Sequence, residues 1–288
     1  MAMNKRGPGG KSGGGGGRGP RAAIDRSVLT AYELRGGKVS VPVRKVPSHM
    51  RQTPQRLTVL WSEAQWQEAL KPVLADLPYA VTDAQQTQLA AYMVMLAHWN
   101  GTFNLTSVRD APEMLSHHLT DCLSVLKPLM RHLNEANGAV RGAAPRLLDV
   151  GSGGGLPGVV LAICCPQIHV TCVDTVGKKT AFIRQVAAEL RLPNLKAEQA
   201  RVEQLQGRYD VITSRAFASL SDFTQLTRAL LAENAVWMAM KGKAPEEELS
   251  QLPADLNVFH VEPLQVPGLD AERCLVWMRP EAGARELA

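Results

Sequence analysis

The sequence predicts an α/β protein in which a doubly wound, mostly parallel sheet follows a small helical unit. From residue 146 onward, short apolar runs alternate with amphipathic stretches, which is the order of strands and helices in a parallel sheet. Between residues 57 and 140, apolar residues recur only at helical spacing. A glycine-rich turn at 151–158 joins the first apolar run of the sheet region to its first helix, as is typical of ligand-binding α/β folds.

Residues 57–140 are predicted to form the helical unit. Capping-box spacing occurs at 62–65 and again at 82–85, so a helix should begin at each place. The second helix should end near Gly101, and a third should begin at Pro112.

Two polar features accompany these helices. The loop at 100–110 is rich in hydrogen-bonding side chains, so it is either solvated or lines a site. His117 and Asp121 are four residues apart on the third helix and should share a face. Two such residues are too few for a metal site, and an exposed or hydrogen-bonded pair is expected.

Residues 141–288 are predicted to form the sheet domain. Its seven expected strands lie at 147–150, 169–173, 195–197, 209–213, 235–240, 258–262 and 275–278. In open α/β sheets, ligands bind at the carboxyl ends of the strands. The residues expected there are Asp149 to Gly155, Asp174, Val202, Glu203, Ser214 and Arg215.

Residues 1–56 are predicted to be a disordered, basic, Gly/Arg-rich extension. Residues 1–60 hold 12 Lys or Arg against 2 Asp or Glu, whereas the remainder holds 20 against 25. Sparse apolar residues without a period cannot bury enough surface to fold. The excess of positive charge indicates either a polyanionic partner, most simply RNA or DNA, or a solubilising tail.

Composition argues against several classes of protein. No window approaches the roughly 18 apolar residues of a membrane helix, and the basic N-terminus has no apolar core of a secretory signal behind it. The five cysteines form no Cys-x-x-Cys pair, which indicates buried thiols in a reducing cytoplasm. We expect a cytoplasmic protein that binds no metal and acts as a monomer.

The glycine turn is compatible with two cofactor classes. Gly153, Gly155 and Gly158 match the dinucleotide fingerprint, and Asp174 lies 21 residues after the first of them, so a NAD-linked oxidoreductase is one alternative. Asp149 before the turn disfavours a pyrophosphate and favours the cationic sulfonium and amino group of S-adenosylmethionine. Backbone N–H groups are expected to line the cleft, and Asp174 is expected to accept from both ribose hydroxyls.

Several separate motifs, in order, show a family resemblance. They are Trp99-Asn100, Phe103 to Arg109, His118 to Asp121, Asp149 to Gly158, Ala200 to Glu203, Ser214 to Ala218 and Lys241-Gly242. From about Leu57 to Met278 the chain resembles the bacterial 16S ribosomal RNA guanine-N7 methyltransferases known as RsmG or GidB. The resemblance implies a class I methyltransferase sheet, S-adenosylmethionine as donor, and N7 of a guanine in the decoding-region loop of 16S ribosomal RNA, or of the small ribosomal subunit, as acceptor.

The resemblance also implies roles for particular residues. It implies that Gly151, Leu156, Val202, Glu203 and Arg215 contact the donor, with Val202 and Glu203 flanking its adenine. The glycine pattern adds Gly153, and the position at the end of a strand adds Asp174, as expected donor contacts. Arg215 is the residue expected near the reacting centre, where it would anchor the donor's carboxylate or orient the guanine through O6. A salt bridge to a helix is the structural alternative for Arg215.

Basic residues near the strand ends are candidates for contact with RNA phosphates. They are Lys178, Lys179, Arg184, Lys241 and Lys243. Besides the oxidoreductase, a non-catalytic RNA-binding protein whose tail carries the function is the remaining alternative.

Overall fold

The structure, a computed structural model, describes residues 60–77, 79–137, 144–217 and 219–281. The predicted extension at 1–56 therefore lies outside the described residues. None of the described helices combines the length and apolar content needed to cross a membrane.

The first two helices are capped as the sequence predicts. Helix α1 spans Glu63–Ala75 and α2 spans Asp83–Phe103, and both predicted capping boxes are present. Helix α2 continues for two residues beyond Gly101, near which its end was expected. It ends where Asn104 takes a left-handed conformation, with φ of 51°, and the short polar side chain of asparagine tolerates that conformation.

The predicted third helix is divided by a π-helical turn. Helix α3 spans Ala111–Met114, the π turn spans Leu115–Thr120, α4 spans Asp121–Ser124 and α5 spans Leu126–Asn137. A π turn holds an extra residue, so it rotates the residues after it relative to a regular helix. The predicted pairing of His117 with Asp121 on one face is wrong: His117 is exposed, whereas His118 and Asp121 are both buried.

The predicted doubly wound, mostly parallel sheet is confirmed. Its strands are β1 Arg146–Val150, β2 His169–Asp174, β3 Leu195–Gln199, β4 Tyr209–Arg215, β5 Leu231–Lys241, β6 Leu256–Pro263 and β7 Cys274–Pro280. They lie in the order β3-β2-β1-β4-β5-β7-β6. All neighbouring pairs from β3 to β5 are parallel, and β7 is antiparallel to both β5 and β6. Because the strand order reverses at β1, a crevice is expected where β1 and β4 end.

Helices cover both faces of the sheet. The helices that connect the strands are α6 Gly158–Cys164, α7 Gly177–Glu189, α8 Leu220–Thr227 and α9 Glu246–Ser250. Helix α2 packs on α6 and α7, so buried residues of the helical unit and of one sheet face form a continuous apolar cluster. A second cluster fills the other face. The division between 57–140 and 141–288 stays a prediction.

Candidate functional site

The glycine turn after β1 adopts a conformation that requires glycine. Gly151, Gly153 and Gly155 all have positive φ, at 68°, 56° and 89°. Side chains also approach closely: a Cβ on Gly154 would lie 2.8 Å from Leu96 Cδ1 of α2. The turn is thus compact and held against the helical unit.

The N–H groups of this turn are largely bonded within the protein, contrary to the expected N–H-lined cleft. Gly151 and Ser152 donate to the carbonyl of Val173, at 2.9 and 3.2 Å, and Gly153 donates to Asp174 Oδ2 at 3.0 Å. Gly155 donates to the carbonyl of Ser152 at 2.8 Å. Three of these four donors are bonded to β2 and the fourth closes the turn on itself, so none of the four is free for a ligand.

Asp149 lies beneath the turn and does not line the cavity. Its side chain is fully buried, and its Oδ2 accepts the N–H of Gly158 at the start of α6, at 2.9 Å. Its Oδ1 has no hydrogen-bond partner among the described residues. Burial raises the pKa of Asp149 to about 7, and the hydrogen bond from Gly158 and the charge of Arg215 only partly oppose this. The sequence-based expectation of an acid facing the ligand is therefore wrong in its geometry.

The buried carboxyl of Asp149 predicts a pH-dependent stability. The pKa of Asp149 in the folded state lies above its ordinary value of 3.8. Between about pH 4 and pH 7 this carboxyl is therefore protonated in the folded state and ionised in the unfolded state. The stabilising contribution of that proton is full below pH 4 and disappears as the pH rises through 7. We expect Asp149→Asn to become more stable relative to the parent protein as pH rises from 5 to 8, as measured by urea denaturation. A stability difference that is flat over this range would contradict the raised pKa.

A cavity of about 570 Å³ opens above the ends of β1, β4 and β5. Four predicted site residues line it: Gly151, Gly153, Leu156 and Arg215. The lining also includes Leu105 to Val108, His118, Asp121, Lys241 and Arg273.

The polar loop after α2 forms one wall of this cavity. Of the two roles that the sequence left open for this loop, solvated loop or wall of a site, the structure shows the second. The buried side chain of Asn100 accepts the N–H of Thr106 at 2.9 Å and donates to the carbonyl of Val108 at 2.9 Å. Thr106 Oγ1 lies 2.6 Å from His118 Nε2. Asn100 thereby holds the loop on the last turn of α2.

Arg215 joins the sheet to the divided third helix. Its Nη1 donates to the carbonyl of His117 at 2.9 Å and to Asp121 Oδ2 at 3.3 Å, and both Nη atoms lie 3.4 Å from His118 Nδ1. The other oxygen of Asp121 accepts from Arg273 Nε at 3.1 Å. The salt bridge to a helix, the structural alternative for Arg215, is thus present. The guanidinium also lines the cavity.

The charges of this group leave the cavity positive. Asp121 carries one negative charge between two guanidinium groups. Burial and the nearby charge of Arg215 lower the pKa of His118 to about 4, so its ring is neutral at pH 7. The wall of the cavity therefore suits an anionic group.

Three predicted donor contacts lie outside this cavity. Asp174 ends β2 as expected, but its carboxylate already accepts from Gly153 and Val176 and pairs with Lys179 at 3.4 Å. Val202 is buried and Glu203 is exposed in a short 3₁₀ turn after β3. Their contact with a donor stays a prediction.

The basic candidates differ in their partners. Lys241 is paired with Glu248 at 2.9 Å and Lys179 with Asp174, while Arg184 donates to the carbonyl of Ala197. Lys178 and Lys243 are exposed and form no ion pair with any described residue.

Sequence comparison gives the family. Residues 85–276 match the sequence profile of the family GidB, described as rRNA small subunit methyltransferase G. The chain belongs to this family. A relative named ribosomal RNA small subunit methyltransferase G, from Polaromonas sp. (strain JS666 / ATCC BAA-500), is 56% identical over 221 residues, which is 77% of this chain and 96% of the relative. One of the same name from Leptothrix cholodnii is 59% identical over 206 residues, covering 71% and 91%.

The part that matches the GidB family contains the whole cavity. Arg215 and the glycine turn were predicted from the sequence, whereas the role of Arg273 and the contact between His118 and Arg215 were not. The motif from His118 to Asp121 was a sequence signal for the contact between His118 and Arg215, whereas Arg273 lies in a loop without any local pattern. Across the described residues, no group of three His, Cys, Asp or Glu is arranged to hold a metal ion.

Proposed function

We propose that this member of the GidB family transfers a methyl group from S-adenosylmethionine to N7 of a guanine in small-subunit ribosomal RNA. The family profile and the names of the relatives support an RNA methyltransferase. The choice of donor and the roles of individual residues are argued from the site, and the acceptor atom rests on the family resemblance.

The hydrogen bonding of the glycine turn carries the choice of donor. A dinucleotide pyrophosphate needs free N–H groups at the turn and at the start of the next helix. Here Gly151, Ser152, Gly153 and Gly155 donate within the protein. The N–H of Gly158 is occupied by the carboxyl of Asp149. This arrangement disfavours a pyrophosphate, and it is compatible with a donor that has no phosphate.

The residues present fit S-adenosylmethionine. Arg215 and Arg273 offer positive charge for the carboxylate of the donor. The glycines of the turn carry no side chains, so the donor can approach the backbone of the turn closely. We propose that Asp174, Val202 and Glu203 hold the adenosine end, on the β2 and β3 side of the turn. When bound, the donor supplies a methyl carbon already activated by a positive sulfur.

The protein's own contribution is orientation. Guanine N7 has an in-plane lone pair and carries no proton, so no residue has to act as a base. Arg215 is fixed by His117 and Asp121, so its guanidinium is held in place before the RNA binds. Fixing the base against the donor in this cavity is the kind of effect that supplies most of the acceleration in such a displacement.

The partner and setting follow from the same proposal. Exposed Lys178 and Lys243 are available for phosphate contacts, which depend on salt and not on sequence. The acceptor guanine is proposed to lie in the decoding-region loop of 16S ribosomal RNA. We propose that the protein acts as a monomer in the cytoplasm, where ribosomal RNA is assembled.

Calorimetric titration tests the donor. S-adenosylmethionine and S-adenosylhomocysteine should bind, and NAD should not, because the turn offers no free cradle for its pyrophosphate. Binding of NAD in the absence of binding by the other two would overturn the proposal in favour of an oxidoreductase. The acceptor is tested by mass mapping of methylated guanines in 16S ribosomal RNA from cells with and without the gene.

A further inference from the structure

An exposed aromatic side chain stands beside the cavity. Phe103, the last residue of α2, is 36% exposed although it is a large apolar residue. Its ring packs against Trp99 with centroids 4.9 Å apart, and Trp99 packs on the buried Phe182 of α7 at 5.4 Å. Phe103 is thus supported from the core on one side and open to solvent on the other.

The position of Phe103 is fixed relative to the cavity. Leu105, two residues later, lines the cavity, so the two Cα atoms are less than about 8 Å apart. The intervening Asn104 turns the chain in its left-handed conformation, and Asn100 holds the loop that follows. Phe103 is therefore held two residues from the cavity wall, on a rigid support, although its own ring is not part of the lining.

Two cationic side chains belong to the elements that hold Phe103 in place. Arg109 is hydrogen-bonded to Asn104 next to Phe103. Lys178 lies one turn before Phe182 on α7, so it is on the helix face that contacts Trp99. Lys178 is exposed and has no ion-pair partner among the described residues. An open aromatic ring flanked by free positive charge is the combination that binds single-stranded nucleic acid.

We propose that Phe103 stacks on an unpaired RNA base next to the target guanine, while Arg109 and Lys178 contact the adjoining phosphates. This inference rests on the proposed function, because it assumes that RNA enters the cavity. A base in a duplex is already stacked on both sides, so the platform selects an acceptor strand that is unpaired at this point.

A matched control exists on β6, the edge strand of the sheet. Phe259 on β6 is 39% exposed, close to the value for Phe103, but the guanidinium of Arg279 lies 5.1 Å above its ring. Its face is therefore covered, and no residue of β6 lines the cavity, whereas Leu105, two residues after Phe103, does.

The test uses full-length protein with small ribosomal subunits purified from a strain that lacks the gene. Phe103→Ala should raise the KM for these subunits by about tenfold or more. Phe103→Trp should keep the KM near the parent value. Phe103→Leu should raise it as Phe103→Ala does, because leucine keeps the apolar area but has no π face. Phe259→Ala should leave the KM unchanged. Lys178→Gln should weaken binding to the subunits. It should also reduce the slope of log affinity against log salt concentration by about one, the value for one phosphate contact.

The outcomes separate this inference from the proposed function. If the parent protein does not methylate the subunits, the proposed function fails. If it does and Phe103→Ala has an unchanged KM, or Phe103→Leu keeps it near the parent value, base stacking is overturned. A loss of S-adenosylmethionine affinity equal to the loss of RNA affinity in Phe103→Ala would also overturn it, since Phe103 would then act on the donor.

Discussion

Replacing Arg215 with alanine is expected to lower the rate of RNA methylation by on the order of 100-fold or more. The side chain lies between the cavity and the divided third helix, and its contacts with His117 and Asp121 hold it in one orientation. Its loss removes a positive charge from the cavity wall and frees that part of the wall to move. The rate is measured with a labelled donor and small ribosomal subunits, alongside donor affinity by calorimetry.

The Arg215→Ala protein is expected to stay folded. Asp121 keeps the guanidinium of Arg273 at 3.1 Å, so no buried carboxylate is left without a partner. Arg228→Ala is the matched control, since Arg228 is also ion-paired, with Asp255 at 2.6 Å, but lies outside the cavity. Full activity in Arg215→Ala would limit Arg215 to a structural ion pair. Inactivity of the parent protein itself would favour the non-catalytic RNA-binding alternative.

Local patterns predicted the scaffold well. The capping boxes at 62–65 and 82–85, the seven strands and the glycine turn were all found, because each depends on residues only a few positions apart. The end of α2 was misplaced for a similar local reason. Gly101 has space around it and fits a helix, so the helix stops only where Asn104 adopts its left-handed conformation.

The site depends on contacts that local patterns do not contain. Arg215 and Asp121 are 94 residues apart in the chain, and Arg273 and Asp121 are 152 apart. The π turn that brings Asp121 to Arg215 gives no sequence period of its own. The direction of the Asp149 side chain was also undetermined, because both faces of β1 are buried and its apolar neighbours show no alternation.

A substitution in the glycine turn is expected to lower both the stability of the protein and its affinity for the donor. Gly155→Ala is expected to destabilise the protein by about 2–5 kcal/mol and to abolish detectable donor binding. Gly155 has a φ of 89°, which alanine adopts only with strain, and a Cβ there would collide with Cγ2 of Val159 in α6. Relief of that collision would move α6 or the turn, and either movement would disturb Gly151, Gly153 and Leu156 in the cavity wall.

Gly101→Ala is the matched control for this effect. Gly101 lies inside α2, where a Cβ would meet no atom within 4 Å, so alanine should raise stability by about 1 kcal/mol. Thermal unfolding should therefore move in opposite directions for the two variants, with donor affinity kept only in Gly101→Ala. Equal stability and affinity in both would mean that the conformation of the turn does not determine the shape of the donor site. The cavity wall would then have to be formed chiefly by Arg215 and the loop after α2.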